Sequence, residues 1–178
     1  MKNILTILCL VLLSSCSQEP EVLTGPFVIR DGVKYDQNTN EPVTGIEETF
    51  HENGQLSRRV NYKDGERDGL YESFYGNGQL MLRTNYIDGE DNGFSESFYE
   101  NGQLDTRVNY VDGERDGLRE SFHENGQLSA RVNYVDGERD GLSENFYDNG
   151  QLSVRVNFID GEREVLNFFD ENGVVLVE

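Results

Sequence analysis

The feature that most constrains this chain is a 24-residue period. Asn-Gly-Gln-Leu recurs at Asn53, Asn77, Asn101, Asn125 and Asn149. Phe50, Phe74, Phe98, Phe122 and Phe146 keep the same step, as do Arg59, Arg83, Arg107, Arg131 and Arg155. A fixed period of this size marks a repeat array, in which each unit gains stability by stacking on its neighbours. An array displays the same surface over and over, whereas catalysis needs one asymmetric constellation of side chains. The period therefore favours binding or spacing over chemistry.

Within one unit, two strand-like runs at 70–75 and 79–87 flank Asn77-Gly78. Asn-Gly between alternating runs predicts a type I′ hairpin turn, with positive φ at both central residues. A second glycine-rich connection follows at 88–93 and its equivalents. The second run alternates: Leu104, Thr106, Val108 and Tyr110 share a face, as do Leu152, Val154, Val156 and Phe158. That pattern predicts a half-buried antiparallel strand, and no helical period is present beyond the first residues. A two-residue loop sets Glu72 opposite Arg83, and by repetition Glu48–Arg59, Glu96–Arg107, Glu120–Arg131 and Glu144–Arg155. A three-residue loop with a bulge sets Phe74 opposite Leu80 and Tyr71 opposite Arg83. The first register pairs opposite charges and is preferred; the second segregates apolar residues better. The expected fold is all-β, an elongated single-layer antiparallel meander of stacked β-hairpins. Eleven or twelve strands would extend roughly 50–55 Å. Residues 27–45 are expected to form an N-terminal capping hairpin, 46–165 five repeats, and 166–178 a C-terminal capping strand region.

The ends and the charge narrow the function classes. After Lys2, the apolar run 4–13 is too short to span a bilayer and resembles a secretory signal. Leu13-Ser14-Ser15-Cys16 resembles the lipobox of bacterial lipoproteins. The resemblance implies removal of residues 1–15, lipidation at Cys16 and a flexible tether over 16–26. Cys9 falls in the discarded part, so no disulfide or thiol metal site is expected. The implied location is the bacterial cell envelope, lipid-anchored. Ser17 in place of a retention-type Asp inclines this to the outer membrane. The chain carries 34 acidic against 15 basic residues, a formal charge of −19. Nucleic acid is therefore not an expected partner, since phosphate binding rests on Lys and Arg. With no Trp among its residues, a thin architecture is expected rather than a thick core.

Two sets of residues are candidate sites. His51, Tyr75, Tyr99, His123 and Tyr147 lie beside the Asn-Gly turns. They form either a ladder of amphipathic rings that binds a partner or a cross-strand ladder that covers the sheet. The acidic turns are the second set: Asp64, Glu66, Asp68; Asp88, Glu90, Asn92; Asp112, Glu114, Asp116; and Asp136, Glu138, Asp140. They place oxygen ligands as the first half of an EF-hand loop does, but lack its closing Glu and its helices. Calcium is the one metal considered, and no other cofactor is expected. His51 and His123 stand three repeats apart, about 29 Å at strand spacing, too far to share a metal. No nucleophile motif, phosphate loop or asymmetric carboxylate pair is present, so no enzymatic activity is expected.

The composite pattern Gly-Leu…Phe-Tyr-x-Asn-Gly-Gln-Leu…Asn-Tyr-x-Asp-Gly resembles the bacterial variant of the MORN repeat over residues 31–178. The Tyr-Glu-Gly-x-Trp core of the better-known MORN pattern is absent. The resemblance implies a hairpin array, and proteins with this variant often carry an antitoxin label. The expected function is a non-catalytic, lipid-anchored repeat protein offering an extended acidic β surface to a protein or glycan. Alternatives are an antitoxin or immunity-like role against a toxin partner, and calcium-dependent assembly.

Overall fold

The computed structural model describes residues 20–177. The expected signal segment, residues 1–15, and the expected lipidation residue Cys16 lie outside the described residues. Sixteen strands follow one another: β1 (Phe27–Arg30), β2 (Val33–Asp36), β3 (Gly45–Phe50), β4 (Leu56–Lys63), β5 (Glu66–Phe74), β6 (Leu80–Ile87), β7 (Glu90–Asp91), β8 (Gly93–Phe98), β9 (Leu104–Val111), β10 (Glu114–Arg115), β11 (Gly117–Phe122), β12 (Leu128–Val135), β13 (Glu138–Phe146), β14 (Leu152–Ile159), β15 (Glu162–Phe169) and β16 (Val175–Val177). No helix occurs among the described residues. β1 and β2 form a separate hairpin; β3 to β16 form one 14-stranded antiparallel meander in chain order. The expected all-β array of stacked hairpins is what folds.

The type I′ geometry expected at Asn-Gly is found instead at the Asp-Gly connections. At Asp64-Gly65 both residues take positive φ, 51° and 86°, and Lys63 pairs directly with Glu66. Asp88-Gly89, Asp112-Gly113, Asp136-Gly137 and Asp160-Gly161 repeat this two-residue type I′ geometry. Asp tolerates the left-handed region and Gly enters it without cost, which suits the pair to this turn.

At Asn77-Gly78, by contrast, only Gly78 has positive φ, at 85°. Gly78 N donates to Tyr75 O and Tyr75 N to Gln79 O, which encloses a three-residue loop. The Asn77 side-chain oxygen accepts from Gln79 N at 2.9 Å, fixing the loop from inside. The type I′ expectation at Asn-Gly is thus corrected: this turn needs one left-handed glycine and one Asx acceptor.

Both expected registers are present. Phe74 faces Leu80 beside the turn, then a bulge at Met81 resets the ladder so that Glu72 faces Arg83. Tyr71 consequently faces Thr84, not Arg83. The same shift recurs in β3–β4, β8–β9, β11–β12 and β13–β14. A second irregularity sits at Gly69, φ 93°, between the pairs Tyr62–Arg67 and Val60–Tyr71.

These registers give the sheet two unlike faces. The tyrosine face carries Val60, Tyr62, Tyr71, Thr84, Tyr86, Val108, Tyr110, Val132, Tyr134, Val156 and Phe158. Val60, Val108, Val132 and Tyr134 are buried there, with Thr84. The opposite face carries the Glu–Arg ladder. Single-layer burial of this kind comes from neighbours on adjacent strands, the sheet's own unit of stabilisation.

The N-terminal end is closed by backbone. Residues 21–23, expected to be part of a flexible tether, run parallel to β3: Leu23 N donates to Ile46 O at 2.7 Å and Ile46 N to Glu21 O at 2.8 Å. The β1–β2 hairpin meets the Asp64-Gly65 turn through Lys34 N→Gly65 O. Buried Lys34 places its ammonium 2.5 Å from Glu47 and between the rings of Phe27 and Tyr62. An open edge strand is an aggregation hazard, and these contacts cover one end.

Candidate interaction surfaces

The candidate ring ladder at the Asn-Gly edge ties units together. Tyr75, Tyr99 and Tyr147 hydroxyls donate to Phe98 O, Phe122 O and Phe169 O at 2.7, 2.7 and 3.0 Å. His51 and His123 place Nε2 at 2.9 and 3.1 Å from Phe74 O and Phe146 O. All five side chains are half-buried, and each reaches one unit forward. The turn asparagines do the same: Asn53, Asn77, Asn101, Asn125 and Asn149 amides donate to carbonyls of the next turn at 2.7–3.3 Å. Buried carbonyls without such donors would cost free energy, so this edge is structural glue whatever else it does.

The acidic turns line the opposite edge. Within each, the turn glycine N–H bonds the preceding unit, as in Gly89 N→Arg67 O and Gly113 N→Asp91 O at 2.9 Å. Asp64, Asp88, Asp112 and Asp136 occupy the left-handed turn position, while Glu66, Glu90, Glu114 and Glu138 are exposed on the following strand. Asp68, Asp116 and Asp140 fall at the Gly69-type irregularity, as does Asn92. Asn92 Nδ2 reaches Asp112 Oδ1 at 3.5 Å. Among the described residues no group of three or more His, Cys, Asp or Glu is arranged to hold a metal ion.

On the ladder face, Glu48, Arg59, Glu72, Arg83, Glu96, Arg107, Glu120, Arg131, Glu144 and Arg155 line up across the strands. The pairs are uneven. Glu96 is buried between Arg83 at 2.6 Å and Arg107 at 2.7 Å. Glu144 is buried between Arg131 at 2.5 Å and Arg155 at 2.7 Å. Arg83 thus turns toward Glu96 although Glu72 lies opposite it, and Arg59 reaches Glu72 at 3.6 Å. Burial pushes the Glu96 and Glu144 carboxyls up, but the paired arginines outweigh it and hold both below the ordinary carboxylate range.

Beside this ladder runs a strip that sequence reasoning missed. Leu70, Phe94, Leu118, Leu142 and Val165 face Asn85, Asn109, Asn133 and Asn157 on the ladder face, and all five are exposed, from 36% at Leu70 to 59% at Phe94. Ile87, Val111, Val135 and Ile159 add a second exposed row, each opposite a strand-opening Glu. A depression between Phe94 and Leu118 has Arg107, Asn109 and Glu120 in its lining. The signal for this strip is present in the sequence: Leu70 shares the parity of Glu72, not of Tyr71.

The tyrosine face bears a second periodic device. Arg67 sits over the Tyr86 ring at 5.2 Å, Arg115 over Tyr134 at 5.4 Å and Arg139 over Phe158 at 5.5 Å. One unit departs: Asp91 stands where the others have Arg, and Thr84 where the others have Val. Thr84 Oγ1 donates to Asp91 Oδ1 at 3.0 Å. The departure is felt by the rings. Tyr134 is pushed up by burial, but Arg139 and Arg115 hold it below the usual tyrosine value. Tyr86 is raised, by burial first and then by the Asp91 charge, against Arg67.

No curated protein matches the chain. A crystal structure of the S. aureus TarM G117R mutant, in complex with Fondaparinux, alpha-GlcNAc-glycerol and UDP, matches at 15% identity and a TM-score of 0.35. The match covers 53% of this chain and 19% of that one, and carries no functional argument. The family model described as MORN repeat variant matches five times, at 43–64, 67–88, 92–112, 115–136 and 139–160. The boundaries of these matches follow the hairpin units seen in the structure, and the chain belongs to the MORN repeat variant family.

Proposed function

We propose that this chain is a non-catalytic repeat protein, anchored by lipid at Cys16 to a bacterial envelope membrane, that binds a partner protein along its ladder face. The observation that carries the reading is the exposed apolar strip, Leu70, Phe94, Leu118, Leu142 and Val165, bordered on one side by paired charges and on the other by acidic turns. Large exposed apolar side chains recurring along one row, with asparagines between them and charges at the border, offer the apolar anchors and polar rim that interaction sites present. An apolar strip suits a protein surface better than a glycan. The edge rings, with their polar atoms engaged in the next unit, are poorer contacts than the ladder face.

The test is capture from detergent-solubilised envelope by the full chain, compared with F94S/L118S/L142S. Capture of the same protein by wild type and its loss in the variant, with unchanged urea stability, supports the reading. Equal capture by both sinks it. Labelling with a radioactive fatty acid, absent in Cys16→Ala, tests the anchor separately.

A further inference from the structure

We propose that the unit at 84–94 holds a binding site for a guanidinium group presented by a polypeptide, received between Asp91 and the ring of Tyr110. The site interrupts the cation–ring ladder of the tyrosine face. In three units an arginine covers the aromatic ring of the next strand at 5.2–5.5 Å. The chain itself thereby shows that a guanidinium fits this spacing. At Asp91 the rung is missing. Among the described residues no arginine or lysine cation lies over the Tyr110 ring.

The replacement is not a neutral gap. Asp in place of Arg shortens the side chain and reverses its charge, so the vacated rung gains a carboxylate suited to a guanidinium. Asp91 is half-buried and oriented by Thr84, itself 3% exposed, and its backbone oxygen is held by Gly113 N. Thr84 differs from the valines at 60, 108, 132 and 156, and it is the residue that fixes Asp91. An ionised carboxylate has about four acceptor positions, so the Thr84 hydrogen bond leaves room for a donor pair. Arg115 stands opposite Tyr110 in the β9–β10 register, but its guanidinium lies over the Tyr134 ring with Nη1 3.5 Å from the Tyr134 hydroxyl, so it does not cover the Tyr110 ring. Asp91 and Tyr110 lie on one face of an open sheet, so a lone amino acid meets only this rung, whereas a polypeptide carrying the arginine also contacts neighbouring strands, which favours the polypeptide source.

This site lies on the face opposite the apolar strip and does not depend on it. The experiment is amide NMR of the full chain in mild detergent at about 0.15 M salt, near physiological screening, titrated with N-acetyl-arginine amide, N-acetyl-citrulline amide and free L-arginine. Saturable shifts confined to Thr84–Phe94 and Val108–Gly113 are expected for the arginine amide, with weaker ones for free arginine and none for citrulline. Asp91→Asn should raise the half-saturation about tenfold, an amount within what charge and ring contacts supply together. T84V/D91R rebuilds the motif of its neighbours, supplies its own guanidinium and should abolish the shifts while remaining folded. Shifts spread evenly over all acidic turns, or undiminished in T84V/D91R, overturn the proposal. Stronger binding of free arginine overturns its polypeptide assignment. Partner capture by the ladder face is unaffected by either result.

Discussion

Replacing Glu144 by glutamine, beside the same change at Glu120, separates a stabilising ladder from a decorative one. Both residues occupy equivalent ladder positions, and the chemical change is identical. Their surroundings differ. Glu144 is 1% exposed and accepts from Arg131 Nε at 2.5 Å and from Arg155 Nε and Nη2 at 2.8 and 2.7 Å. Glu120 is half-buried and has no ion pair within 4 Å among the described residues. A hydrogen bond to a charged group contributes about 1.5–3 kcal/mol. The glutamine amide keeps one acceptor oxygen but sets an N–H₂ donor against a guanidinium. Because both arginine side chains are 47% exposed, water replaces part of what is lost. The expected cost is about 2 kcal/mol for E144Q and under about 0.5 kcal/mol for E120Q. With a urea slope of about 2 kcal/mol/M, that is a midpoint about 1 M lower for E144Q. Urea unfolding followed by circular dichroism at about pH 7 measures both. Equal midpoints for the two variants would refute the claim that burial between two arginines, rather than ladder position, decides the contribution.

Acid should act through the same two carboxylates. Glu96 and Glu144 have folded pKa values below the unfolded one of about 4.3, so their contribution is complete above that pH and lost as pH falls through the lower folded values. The midpoint gap between wild type and E96Q/E144Q should therefore shrink from about pH 7 to about pH 3, and a constant gap would contradict the assignment. Tyr99→Phe removes the donor to Phe122 O and should cost about 1 kcal/mol by urea unfolding, with no change counting against the inter-unit role. Glycine substitutions should split by φ. Gly102→Ala, at φ 84° with its new Cβ 3.0 Å from Gln79 Oε1, should cost about 1–2 kcal/mol. Gly76→Ala, in open space without positive φ, should be neutral or stabilise by about 0.5 kcal/mol.

The hairpin array is legible in the sequence because its causes are local: alternation at Leu104–Tyr110, glycine-rich turns, and a fixed step. Turn type is not, because Asn-Gly and Asp-Gly can serve either loop. What decides is the flanking chemistry. Asn77 has a backbone N–H two residues on to receive and a carbonyl in the next unit to donate to, so it favours the three-residue loop. Asp64 has neither bond in the structure and takes the left-handed position itself. The Glu72–Arg83 pairing follows from position along the strands, yet the partner each arginine chooses depends on side-chain direction across three strands. That information is not carried by register. The edge rings are legible as a ladder but not as donors to the next unit, since a carbonyl 23 residues away has no sequence signature.

Periodicity and its interruption point to different kinds of recognition. The apolar strip repeats in every unit, so a partner engaging it gains from length: each added unit contributes another similar contact, and a one-unit slip costs little. Such a surface gives avidity without register. Asp91 does the reverse. It occurs once, on the other face, with its orienting Thr84, and a polypeptide arginine received there would fix one register along the array. Were Asp91 only drift, Thr84→Val should cost little: it swaps a buried hydroxyl for the methyl found in every other unit. If Asp91 is held for a ligand, the same change should leave stability within about 1 kcal/mol yet weaken arginine-amide binding, because the carboxylate loses its orienting donor. Unchanged binding in Thr84→Val would leave charge alone as the attraction and remove the positioning role.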